Sequence, residues 1–220
     1  MNILNNKYKK LLSIDSGKLV HYKFDKYSFL DNIPYDISGN GYNGTNVDCT
    51  ITDNDGIYIV SANKYLYAPV TNVDFSSTNV GSMYIHCKRT ASNKYMAFGQ
   101  SVSYSARFLI QGYSDGKYYV YANNGSSSFY GYVTLPNITF QKLVLVYDGT
   151  GVDNNARLKF YVDGELKTLG FSGGSAATSL GNLVSSPLRI GRDRTTYSTG
   201  YVKECAAWNR TLSIEEIQAL

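Results

Sequence analysis

The sequence predicts an all-β protein: an antiparallel β-sandwich with one short helix at its C-terminal end. Three observations carry the prediction. The 220 residues include 21 Tyr and 20 Gly but 4 Pro, and Tyr favours strands while Gly supplies the turns between them. Short segments that alternate apolar and polar residues recur along the chain, bounded by turn formers, at the spacing of sandwich strands. The last stretch carries helix-start signals. Ser213 with Glu216 three residues on makes a capping box, and Leu212 with Ile217 makes a hydrophobic staple. A sandwich of this length forms one domain, and 43% hydrophobic residues are enough for a sizeable core.

Composition excludes several classes. The net charge of +4 is scattered, with no Lys/Arg run beyond Lys7, Lys9 and Lys10. A nucleic-acid surface concentrates its charge, so no nucleic-acid partner is expected. No apolar run reaches the ~18 residues of a membrane span. The N-terminus also lacks the ~7–15 apolar residues of an export signal. The chain is then either not exported by this route or a piece of a longer parent, and cell lysis is another route out. Cys49, Cys87 and Cys205 lie far apart with no C-x-x-C, which argues against structural zinc. The odd count leaves a free thiol and permits one disulfide at most; three half-buried thiols on strands are expected.

Taken in order, residues 1–18 read as a polar, basic arm, apolar only at Leu11, Leu12 and Ile14. Such an arm packs along the sandwich, reaches a neighbouring subunit or stays mobile. The folded domain is expected over 19–220. Leu19–Phe24 alternates, with Val20, Tyr22 and Phe24 on one face and Leu19, His21 and Lys23 on the other. Asp36–Gly44 is a loop of Gly, Asp and Asn, suited to φ > 0 and to side-chain-to-backbone hydrogen bonds. Val47–Ile51 and Ile57–Val60 are strands flanking Asp53–Gly56. That tetrapeptide reads as a hairpin turn, because a calcium loop also needs an acid where Ile51 stands. Tyr65–Ala68 is a strand ended by Pro69. Met83–Lys88 follows, with Met83, Ile85 and Cys87 inward and His86 outward.

The middle is a run of hairpins: Tyr95–Gly99, Arg107–Gln111, Lys117–Ala122 and Phe129–Val133, with turns at Asp115-Gly116 and Asn123-Asn124-Gly125. Leu143–Val146 is continuously apolar, as a strand covered on both faces would be. Leu158, Phe160 and Val162 alternate with polar positions, and Asp163-Gly164 turns the chain into Glu165–Leu169. Residues 170–187 lack periodicity and read as a long binding or contact loop. Ser186–Asp193 and Gly200–Trp208 are strands. The closing helix should turn Ile214, Ile217 and Leu220 to the sandwich.

Several of these pieces, in this order, resemble the concanavalin A-like, laminin-G-like jelly-roll superfamily, in the version found as an accessory module of secreted glycosidases and in phage virion proteins. They are Leu19–Asp25 with Asp36-Ile-Ser-Gly-Asn-Gly-Tyr-Asn-Gly44, Phe160-Tyr-Val-Asp-Gly164, Leu188-Arg-Ile-Gly191, and Gly200 to Ser213 with Glu216-Ile217. The resemblance covers about residues 19–220. It implies a concanavalin A-like sandwich with one curved sheet. It also implies a Ca²⁺ site at Asp36 and at an acid in the last strand. Here Lys203 replaces that acid, although Glu204 is kept. An ammonium group repels the cation, so no cofactor is expected, calcium at Asp36 and Glu204 is disfavoured, and a Lys203–Asp36 ion pair is expected instead.

The residues for catalysis are missing. Glycosidases of this type need two carboxylates across the scissile bond, yet the four Glu (Glu165, Glu204, Glu215, Glu216) lie near a hairpin turn, on the last strand and on the last helix. No G-x-S-x-G elbow occurs. Aromatic residues point to binding instead: Tyr113, Tyr119, Tyr121, Tyr130 and Tyr197 are the candidate ligand contacts, since a Tyr face stacks on sugars or fills an interface while its hydroxyl hydrogen-bonds. Alternation places Tyr118 and Val120 on one face and Tyr119 and Tyr121 on the other. The expected function is a non-catalytic binding or structural module of a phage virion (capsid decoration, fibre or tail-associated), contacting other virion proteins and surface glycans. Virion proteins are usually multimers, so a homo-oligomer is expected. The alternative is a carbohydrate-binding module of a secreted glycan-degrading system.

Overall fold

The structure, a computed structural model, describes residues 14–220 apart from 53–55, 60–62, 70–74, 76–77, 93, 126–128, 136–137, 184–185 and 195. The first strands are β1 (Lys18–Lys23), β2 (Phe29–Leu30), β3 (Ile33–Pro34), β4 (Thr45–Val47), β5 (Thr50–Thr52), β6 (Gly56–Ile59) and β7 (Tyr65–Ala68). The long central strands are β8 (Val80–Arg89), β9 (Met96–Ser103), β10 (Ala106–Gly112), β11 (Lys117–Asn124), β12 (Tyr130–Thr134) and β13 (Gln141–Asp148). After helix α1 (Asn154–Arg157) come β14 (Leu158–Val162), β15 (Glu165–Lys167), β16 (Gly170–Ser172), β17 (Leu188–Ile190), β18 (Arg192–Asp193), β19 (Thr196–Tyr197), β20 (Gly200–Trp208) and helix α2 (Ile214–Ala219).

Two antiparallel sheets form the sandwich. The first runs β15-β14-β13-β8-β20-β6-β5, and β1 pairs with the second half of β20. The second runs β16-β12-β11-β10-β9-β17-β7-β4. Alternation builds the core between them. Val20, Tyr22, Met83, Ile85, Leu145 and Phe160 face inward from the first sheet, and Leu66, Phe98, Phe108, Ile110, Tyr118 and Val120 from the second. Each such side chain contributes about 1.5–3 kcal/mol on burial. The inward face of β8 is the expected one, and on β1 and β14 the residues expected to share a face do so, Val20, Tyr22, Leu158, Phe160 and Val162 all facing the core. On β13, Leu143 and Leu145 join the core while Val144 and Val146 join a second cluster on the outer face. That cluster lies under α2, with Trp208, Leu212 and Ile217.

The capping box of α2 is formed in full, and Arg210 adds a two-pronged ion pair to Glu216, with both N–O distances 2.8 Å. Ile14 packs against the same outer cluster. Its carbonyl accepts from Trp208 Nε1 (2.6 Å), and the Gly17 carbonyl accepts from the Asn209 amide (3.0 Å). Residues 1–13, most of the expected arm, lie outside the described residues.

Four expectations need correction. Val47–Ile51 is not one strand. Asp48 adopts φ +55, and the Asn46 side chain bonds both the amide and the carbonyl of Cys49, so the chain turns and β4 and β5 join different sheets. Residues 170–187 are not an open loop: β16 pairs at the edge with β12, and Ala176, Leu180 and Leu183 sink into the core. Few apolar anchors suffice there because Tyr147 Oη and Arg157 Nη1 donate to the carbonyls of Ala177 and Ala176. Ile214 is 39% exposed, since a six-residue helix turns only part of its surface inward. Finally, all three thiols are free and fully buried rather than half-buried, with Cys49 between strands. Burial pushes Cys49 and Cys87 each up to about 12. The Asp53–Gly56 turn falls largely outside the described residues, but β5 and β6 pair antiparallel around it.

Candidate functional site

The outer face of the second sheet carries a cleft of about 300 Å³. Its floor follows from the alternation of β11. Tyr118, Val120 and Ala122 are core residues, so Tyr119 and Tyr121 stand on the outer face, where β12 presents Tyr130 and Tyr132 in neighbouring register. The rings meet edge to face, the arrangement that aromatic quadrupoles favour. Tyr119 and Tyr130 are 5.2 Å apart at 68°, and Tyr113 and Tyr119 are 5.6 Å apart at 71°. Tyr95 extends the row at 4.7 Å from Tyr113.

One wall comes from another part of the chain. Gly191 adopts φ +89, donates to the Ala97 carbonyl and accepts from the Ser198 amide. It thereby turns the chain out of β17 into the β18–β19 ribbon, which Ser198 Oγ holds to β9 by accepting from the Ala97 amide (2.9 Å). The ribbon brings Asp193 and Thr196 to the cleft. From β10, Arg107 and Gln111 point outward into the same space, and Tyr104 closes the end at the β9–β10 turn. Arg107 Nη2 lies 3.5 Å from Asp193 Oδ2, with side chains 5% and 4% exposed. The guanidinium also lies 4.7 Å from the Tyr104 ring and 4.9 Å from the Tyr121 ring. Among the described residues no atom hydrogen-bonds Arg107 Nη2 or Asp193 Oδ1. Buried polar atoms are normally satisfied; these two lie without hydrogen bonds and sealed from solvent beneath the cleft.

Three of the phenols are held protonated well above neutral pH. Burial pushes Tyr121 up to about 12, helped by the nearby Asp193 carboxylate and opposed by Arg107. Tyr119 is raised by burial and by donating to Asp115 Oδ2 at 2.7 Å. Tyr113 is raised by its hydrogen bond with Tyr95 and then by burial. The cleft therefore offers ring faces, O–H donors, a guanidinium and one carboxylate.

Of the five tyrosines picked from the sequence, Tyr113, Tyr119, Tyr121 and Tyr130 line this cleft. Tyr197 is engaged elsewhere: its hydroxyl donates to Asn63 Oδ1 (2.9 Å) and its ring lies 5.0 Å from the Arg192 guanidinium. Sequence reading missed Tyr104, Arg107, Gln111 and Asp193. An Arg at an outward position of an otherwise apolar strand was the available signal.

The expected ion pair between Lys203 and Asp36 is not formed. Lys203 stands at an irregularity of the β20–β8 pairing and places its ammonium 4.1 Å from the Phe140 ring centroid. Asp36 needs no cation. Oδ1 accepts from the amides of His21 and Ser38, and Oδ2 from Ser38 Oγ and the Tyr42 amide. A carboxylate has about four lone-pair sites, and all are filled by donors that shape the loop. Glu204 is held by His21 Nε2 (2.7 Å) and Tyr84 Oη (3.2 Å). These residues do not fit a calcium ion. A larger cleft of about 800 Å³ lies beside Trp208, His21 and Glu204 on the first sheet. Within it Lys18 is paired with Asp15 and His21 with Glu204, and among the described residues none of its lining carries an unpaired buried polar atom.

A jelly-roll sandwich with ligand-sized clefts on its outer faces defines a lectin-like binding fold. A family model described as the concanavalin A-like lectin/glucanases superfamily matches residues 61–218, and the chain belongs to that family. Among solved structures, the chain is similar to the binding domain of botulinum neurotoxin serotype D (15% identity, TM-score 0.62, covering 96% of this chain and 51% of that one). It is also similar to Trypanosoma rangeli sialidase in complex with sialic acid (11%, 0.62, 98% and 38%). A third is the binding domain of botulinum neurotoxin DC in complex with rat synaptotagmin II (12%, 0.64, 94% and 51%). The chain thus spans about half or less of these structures, and at such identities the likeness concerns the fold. A search of curated proteins finds no sequence match.

Proposed function

We propose that this protein is a non-catalytic glycan-binding module that holds its ligand in the tyrosine cleft. One observation carries the reading: four outward tyrosines converge on a buried Arg107–Asp193 pair whose Nη2 and Oδ1 have no hydrogen-bond partner among the described residues. A sugar ring supplies what is missing, an apolar face for the tyrosines and hydroxyls that both donate and accept. The cleft volume is at the lower end of the roughly 300–1,000 Å³ of ligand sites. Asp193 is the one carboxylate on the described lining, and it faces Arg107. Glycoside hydrolysis uses two carboxyl groups, so the cleft is suited to holding a sugar rather than cutting it. Binding is likewise the role of the matched neurotoxin domains.

A glycan array probed with the wild type and with Tyr130→Ala tests this. The wild type should retain glycans. Tyr130→Ala should weaken retention about tenfold, the equivalent of roughly 1.4 kcal/mol, with little change in melting temperature, because Tyr130 is only half-buried. Retention unaffected by the substitution would place the ligand elsewhere, and no retention would remove the reading.

A further inference from the structure

A finer reading of the ligand rests on the tyrosine cleft being the site. Two guanidiniums lie against the ring of Tyr104 at the end of the cleft, Arg107 from its lining and Arg194 from the adjoining ribbon turn. Arg107 is 4.7 Å and Arg194 is 4.5 Å from the Tyr104 centroid. Each keeps one solvent-sealed nitrogen, Arg107 Nη2 and Arg194 Nη1, without a hydrogen-bond partner among the described residues. An arginine nitrogen can only donate, and the group stays charged at every relevant pH. Burying such donors unpaired is costly. Asp193 answers Arg107 at 3.5 Å, longer than an ordinary N–H···O bond. Among the described residues no carboxylate is paired with Arg194. Asp115, the other acid beside the tyrosines, is already taken by Tyr119 and Lys117. Two cations against one anion leave a single positive charge around Tyr104, with donors of both guanidiniums unused. Arg194 is held at φ +46, a region that side chains other than Gly, Asn and Asp seldom occupy, and its carbonyl accepts from Arg192 Nε.

We infer that the cleft selects anionic glycans, with Arg107 and Arg194 holding the ligand's carboxylate or sulfate group beside Tyr104. The tyrosine row then takes the sugar ring, and Asp193 Oδ1 accepts a ligand hydroxyl. Guanidinium groups match the spaced oxygens of both anions, so the shared chemistry is an oxyanion on a sugar.

The test is an array carrying matched neutral, carboxylated and sulfated members of each glycan series, probed with the wild type, Arg194→Gln and Tyr130→Ala. The acidic members should bind at least tenfold more tightly than their neutral counterparts. Arg194→Gln should erase most of that preference, while Tyr130→Ala should weaken all members alike. Comparing the carboxylated and sulfated arms identifies which oxyanion is taken. Raising the salt from 50 to 500 mM should weaken wild-type binding of acidic members and leave neutral ones unchanged, a readout independent of how well any variant folds. Equal, Tyr130-dependent binding of neutral and acidic members would overturn the inference and leave the cleft reading intact. An acidic preference insensitive to both salt and Arg194→Gln would overturn it too. No glycan retention at all would remove both.

Discussion

Asp193→Asn tests whether the buried pair beneath the tyrosines is a real interaction or a chance approach. The two charges are 3.5 Å apart and the side chains 5% and 4% exposed. At an effective dielectric of about 20 their attraction is about 5 kcal/mol, most of it offset by the loss of hydration. Removing one partner leaves the other buried without its counter-charge, which usually costs about 3–5 kcal/mol. The lower end applies here. The pair lacks hydrogen-bond geometry, and Arg107 keeps the Ser103 carbonyl (3.3 Å) and two aromatic rings. A loss of about 3 kcal/mol should lower the melting temperature by roughly 6–12 °C in a domain of this size. Arg107→Gln should cost a similar amount, and the double variant, again neutral, less than the sum. Urea unfolding of the four proteins gives the coupling, expected at about 1–3 kcal/mol. Losses that add to within about 0.5 kcal/mol would show that the two groups do not interact, and the account of the cleft base would fall with them.

Other consequences are more local. Ser213→Ala removes the cap of α2 and should cost about 1 kcal/mol, or roughly 2–4 °C in thermal melts; no change would mean that Glu216, held by Arg210, suffices alone. Burial raises the Glu204 carboxyl, but the His21 hydrogen bond and charge, with Lys23 and Tyr84, outweigh it and hold the pKa below its ordinary value. A depressed folded pKa gives stability that is complete above the unfolded value of about 4.3 and is lost as pH falls through the lower folded value. Glu204→Gln should therefore flatten the acid limb of urea midpoints below about pH 4, a limb shared with Asp25 and Asp115, which are also depressed. The three buried thiols should resist Ellman's reagent in the native protein and all react in denaturant; a fast native phase would contradict their burial. In Gly191→Ala a Cβ would meet Ile59 Cδ1 at 2.5 Å at a φ of +89, so a loss of about 1–2 kcal/mol is expected in urea, with weaker ligand retention as the ribbon shifts.

How legible all this was depends on the range of the interaction. Alternation is local, and it assigned Tyr118 and Val120 to one face of β11 and Tyr119 and Tyr121 to the other, as the structure has them. Alternation cannot say which face is open, because that depends on the opposite sheet. Nor could it find Asp193, whose partner Arg107 is remote in sequence and meets it only because a ribbon folds back over the sheet. Arg89 illustrates the same limit. It is fully buried, yet its guanidinium is answered by the carbonyls of Ser92, Tyr113 and Leu135 and, among the described residues, by no acid, so no charge pattern announces it. The loop at 170–187 misled through composition: Gly and Ser suggest exposure, and three apolar anchors decide otherwise. At Asp36 the sequence motif was real but its chemistry was different, since amides of the loop and of β1, with the Ser38 hydroxyl, occupy the carboxylate.

The two outer faces of the sandwich are covered differently. On the first, α2 and Ile14 cover Tyr84, Val144 and Trp208, and β20 has its edge divided between β6 and β1. On the second, the cover is narrower. A sandwich chain must cross from β17 in one sheet to β20 in the other, and here that crossing is lengthened by the β18–β19 ribbon. The turn at Gly191 starts it, and the Ala97 bonds hold it beside β9. That position shields Arg107 and delivers Asp193 while leaving the β11 and β12 tyrosines uncovered. The second sheet thus provides the aromatic platform and Arg107, and the crossover adds Asp193 to it. The ribbon supplies no residue to the main core cluster, so its contribution to the fold runs through the buried Arg107–Asp193 pair.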